Sequence, residues 1–131
     1  MKQLFIAYAL LLSTATFAQS DKYMSAMKAS IQQMKDSKTI EENTALAQKF
    51  ERIAETEKTQ WLPYYYAAML KATMGIITQE DNKDALADEA TLLLDKAEAL
   101  SKNNSEILCI RSLIATAKML VNPQARYMEF G

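Results

Sequence analysis

The sequence contains no histidine, one cysteine, two glycines and two prolines, and each shortage removes something. Without histidine the chain lacks the commonest general base, the usual zinc ligand and the base of the common nucleophile-activating dyads. The single cysteine, Cys109, excludes an internal disulfide, so the core must come from packing alone. A lone thiol reads either as a reactive group or intermolecular bridge or, in the apolar run ILCI where Cys109 stands, as a small buried hydrophobe. The run favours burial. Neither Gly75 nor Gly131 belongs to a loop that would cradle phosphate. So few turn residues argue against hairpins, and no segment alternates as a strand does, which predicts an all-α chain. Carboxylates remain, but adjacent acids such as Glu41 and Glu42, or Asp88 and Glu89, project about 100° apart on a helix and do not converge. The polar run QEDNKD lacks the glycine and closing glutamate of a calcium loop. These residues predict a non-catalytic protein with no metal and no cofactor.

What is present begins with an address. Lys2 precedes the apolar run LFIAYALLL and then STATFAQ, where Thr16 and Ala18 supply small residues, so residues 1–18 read as a signal peptide cleaved after Ala18. An uncleaved anchor would need a longer apolar run. No cysteine stands near the cleavage point to carry a lipid. The expectation is an exported protein, periplasmic or secreted, with one helical domain over residues 19–131 and no stable membrane insertion. The chain of 131 residues has a net charge of −1, and removal of Lys2 makes it slightly more acidic. Neither nucleic acid nor an anionic membrane is an expected partner.

The stretch TQWLPYYYAAMLKATMGIITQ, from Thr59 to Gln79, has Lys71 as its one formal charge. A helix apolar on nearly all sides must be covered on nearly all sides, so the rest of the domain is expected to pack around it. Before it, Tyr23, Met24, Met27, Ile31 and Met34 recur at helical spacing. TIEE at Thr39 forms a capping box with Glu42, opening a helix to about Lys58 with Leu46, Phe50, Ile53 and Ala54 inward. After the central helix and the polar loop, a fourth helix covers about 85–101, with Leu86, Ala90, Leu93, Leu94, Ala97 and Leu100 inward. Asn104 or Ser105 caps a fifth over about 106–121, with Ile107, Leu108, Leu113, Ile114, Ala117 and Leu120 inward. Pro123 opens a sixth segment.

FERIAETEKTQWLPYYYAAML and LDKAEALSKNNSEILCIRSLI align at a constant offset, with Phe50 on Leu94, Ala54 on Glu98, Tyr64 on Leu108 and Ala68 on Ser112. A constant offset marks a helical repeat. The second window resembles the tetratricopeptide repeat (TPR) family at the junction between successive repeats. Leu94 and Ala97 fill its large and small positions on the earlier helix, Leu108 and Ser112 those on the later one, and Tyr64, Ala67 and Ala68 the places one repeat before. Lys102 stands where the turn proline is usual, Arg111 where an apolar residue is expected, and the spacing exceeds the usual ~34 residues. The broader pattern resembles small exported bacterial TPR-like proteins.

The resemblance implies a short right-handed array of antiparallel helix hairpins, about five helices after the signal peptide. Its concave wall would be lined by Tyr65, Met69 and Thr73 from one repeat and by Cys109 and Thr116 from the next. Such a wall suits a protein or peptide partner. Simple core packing of Tyr65 and Met69 is the competing reading, and a closed pocket between helices would instead imply a carrier of a small apolar ligand or peptide. Lys71 and Arg111 either lay their stems along the core or converge on one groove as an anion clamp. At the end, Tyr127, Met128 and Phe130 need cover from further chain, from the array itself, or from a partner, an oligomer through this end included.

Overall fold

A computed structural model describes residues 20–131; the expected signal peptide over 1–18 lies outside them. The fold is all-α, with no strand among the described residues. Helix α1 covers 20–36, followed by α2 (Ile40–Glu57), α3 (Trp61–Ile77), α4 (Lys83–Leu100), α5 (Ser105–Met119) and α6 (Pro123–Phe130).

The helix ends follow from local chemistry. Thr39 and Glu42 form the expected reciprocal box at the start of α2, the Thr39 hydroxyl accepting from Glu42 N and the Glu42 carboxylate from Thr39 N, each at 3.1 Å. Asn104 accepts from Glu106 N at 2.9 Å and Asn122 from Ala125 N at 3.2 Å, with Pro123 in the first turn of α6. Where glycine would ordinarily close a helix, this glycine-poor chain uses Lys58 (φ 44°) and Asn103 (φ 57°) in the left-handed region. A further closure comes from outside α3: the ammonium of Lys83 donates to the carbonyls of Gly75 and Ile76, each at 3.3 Å, and of Thr78 at 2.5 Å. A cation at the negative end of a helix is favourable, so the first residue of α4 caps its predecessor.

Helix α3 packs against α2, α4 and α5 at once, as its lack of charge requires. Phe50, Ala54, Ala67, Ala68, Ala72, Met74, Leu94 and Ala97 are almost wholly buried around it. Gly75 sets one close approach: a Cβ there would lie 3.3 Å from the Ala117 Cβ and 3.5 Å from that of Leu86. Helix α1 adds buried Met27 and Ser30, with Tyr23, Ile31 and Met34 partly covered.

Several expected core residues face outward instead. Met24 is 49% exposed, Leu100 43%, Leu120 38% and Leu108 58%, and Cys109 is exposed rather than buried. In α5 the inward line is Ile107, Ile110, Ile114 and Ala117, a three-to-four spacing that leaves Leu108 and Cys109 outside it. Burial differs between the two similar windows of sequence. Phe50 and Leu94 are both fully buried, but Tyr64 and Ala68 are buried while Leu108 and Ser112 are exposed. The reason is coverage: α3 has a helix on each of these flanks, whereas the helix after α5 is α6, with eight residues.

Candidate interaction face

Around the first turns of α3, four aromatic rings connect core to surface. Phe50 of α2 stacks on Tyr66 with centroids 5.1 Å apart, Tyr66 meets Tyr65 edge-on at 5.3 Å, and Tyr65 meets Trp61 edge-on at 5.6 Å. Edge-to-face and offset pairs are the favoured aromatic geometries. They fix Tyr65 with its ring half-covered. Trp61 and Tyr66 were not singled out from the sequence as part of this face, although Trp61 stands four residues before Tyr65, the spacing that brings side chains together on a helix.

Tyr65, Met69 and Thr73 follow one stripe of α3 at steps of four. Tyr65 and Met69 are half-buried against the core, and Thr73 is exposed, its hydroxyl donating to Met69 O at 2.8 Å. On α5, Cys109 is exposed and Thr116 half-buried, its hydroxyl donating to Ser112 O at 2.9 Å. Burial pushes the Tyr65 phenol above the ordinary tyrosine range, and the Glu106 carboxylate, Tyr66 and Cys109 push it further. Tyr65 therefore lies within electrostatic reach of the first turn of α5. The contact of Gly75 with Ala117 joins the other ends of the same two helices, so α3 and α5 run side by side in the same direction. The five expected wall residues are carried by this neighbouring pair, and none of the five bears a formal charge.

Lys71 and Arg111 form no joint clamp. The Lys71 side chain is 13% exposed, and its ammonium lies 3.2 Å from Glu51 Oε1 on α2 and 2.5 Å from Glu89 Oε2 on α4. Burial alone would lower its pKa, but hydrogen bonds to Glu89 and Glu51 outweigh it and raise the group above the ordinary lysine range. Arg111 pairs with Glu98 and, at 2.8 Å, with Asp95, bonds that raise it too. Glu89 and Glu98 are nine residues apart on α4, about half a turn in azimuth, so the two cations are held on opposite flanks of that helix. Each is neutralised by its own pair of acids, and neither is free for an anion.

The larger hollows are open grooves. One of about 480 Å³ lies between α1 and α2, lined by Gln33, Asp36, Glu42, Lys49 and Arg52 among others. Another of about 420 Å³ is bordered by Ile40, Thr44, Met74, Thr78 and Leu86. Among the described residues no three His, Cys, Asp or Glu side chains gather as metal ligands, and no helix is long and apolar enough to cross a membrane. No protein-family model, curated protein or solved structure matches the chain.

Proposed function

We propose that this chain is an exported, TPR-like interaction module without catalytic activity, and that it receives a protein or peptide partner on the shared face of α3 and α5. The observation that carries the reading is the uncharged stripe of Tyr65, Met69 and Thr73 beside Cys109 and Thr116, with Tyr65 held by its aromatic neighbours. A fixed, half-exposed tyrosine is a good anchor, because it offers a large contact area and has little freedom left to lose on binding. The order of the contacts supports a TPR-like arrangement: α3 touches its hairpin partner α4 and also α5, the first helix of the following pair. The α1–α2 groove, open and lined by charges, suits a small apolar ligand less well.

Photo-cross-linking in the native host tests the proposal, with a benzophenone side chain placed at Thr73 or at Cys109 and, as a control, at Glu55 on the outer side of α2. A discrete adduct from the two stripe positions and none from Glu55 is expected. Replacing Tyr65 by alanine should then weaken formation of that adduct by about tenfold or more, the scale of an aromatic anchor. Equal labelling from all three positions, or none from the stripe, rejects the assignment of this face.

A further inference from the structure

Helix α6 differs from the helices before it in how it is held. Helices α2 to α5 each bury four or more residues, and α6 buries none. Tyr127 is 65% exposed and Met128 92%. Its attachment is a guanidinium fork: Arg126 Nη1 donates to Asp84 Oδ1 at 2.6 Å, Nη2 to Asp84 Oδ2 at 2.8 Å, and Nη1 also to Lys118 O at 3.1 Å. The Phe130 ring lies 5.9 Å from the Lys118 ammonium, which itself pairs with Asp88 at 2.7 Å. Beneath Phe130 is a cleft of about 200 Å³ bordered by Thr91, Arg111, Ile114, Ala115 and Lys118. Helix α6 buries no residue of its own, and the contacts that seat it are ionic, so its docking depends on charge.

We propose that α6 is a releasable strap over the α4–α5 groove, seated by the Arg126–Asp84 fork and lifting as a unit while α2 to α5 stay folded. Lifting uncovers Thr91, Ile114 and Ala115 and frees the Asp84 carboxylate. The seat is electrostatically mixed: Arg126 and Lys118 face Asp84, with Asp88 and Glu129 close to Arg126. Salt screens partly exposed groups such as these, so ionic strength shifts the fraction lifted.

Amide hydrogen exchange on the full chain, resolved by residue, tests this. The amides of Arg126 and Gly131, bonded to Asn122 O and Tyr127 O, should exchange at least about a hundredfold faster than those of Ala68 and Leu70, because they open locally rather than with the whole molecule. Arg126→Gln should accelerate the α6 amides about fivefold further and leave α3 unchanged, and 1 M salt should do the same to the wild type. Asp84→Asn, which removes the other half of the fork, should match Arg126→Gln. Equal protection in α6 and α3, or a loss of protection in both helices in the two variants, would show that α6 opens only with the whole fold and would overturn the proposal.

Discussion

Lys71 shows how much a single residue depends on which neighbours the fold supplies. In the sequence it interrupts an apolar helix; in the structure it joins α2, α3 and α4 through Glu51 and Glu89. Replacing it by methionine keeps the stem and leaves two carboxylates facing each other, and because Glu51 and Glu89 keep contact with solvent it is expected to cost about 1 kcal/mol. A group whose pKa is raised on folding stabilises fully below its unfolded value. The deficit of Lys71→Met measured by denaturant titration should therefore be constant through neutral pH and shrink only above the ordinary lysine value of 10.5. A deficit that shrinks between pH 6 and 8 would contradict this. Cys109 carries the opposite lesson. Its apolar flanks predict burial, but side-chain direction along α5 is set by the line Ile107, Ile110 and Ile114, and a one-residue step along a helix turns a side chain by about 100°.

Among elements, the boundaries were legible because caps are local. The Thr39 and Glu42 box, the Asn104 cap and the opening of α6 at Pro123 each need only a few consecutive residues, and all stand where those residues predict. What lay hidden was the outward turn of Leu108 and Leu100, since that depends on which helices cover a flank and not on the helix itself. The turn between α2 and α3 also has a cost that the sequence does not announce. Lys58 adopts φ 44°, a conformation that burdens a residue with a Cβ by about 1 kcal/mol relative to glycine. Lys58→Gly is accordingly expected to stabilise the protein by about 0.5–1 kcal/mol, raising the thermal midpoint by a few degrees. An unchanged or lowered midpoint would mean that the lysine side chain returns more than its backbone costs.

At the scale of the whole molecule, the central place of α3 follows directly from its composition, and of the positions aligned between the two similar windows Phe50 and Leu94 are both fully buried. The Lys83 cap on the carbonyls of Gly75, Ile76 and Thr78 bears on the order in which the molecule assembles. It links the end of α3 to the start of α4 across a short loop, so closing it costs little chain entropy, and the hairpin it completes supplies a large apolar surface for α2 and α5 to join. Assembly should start there. Lys83→Met is then expected to slow refolding by nearly its full loss of stability while leaving the unfolding rate close to that of the wild type. If unfolding accelerates instead, the α3–α4 hairpin is among the last parts to form, and the centre of the finished structure is not where its history begins.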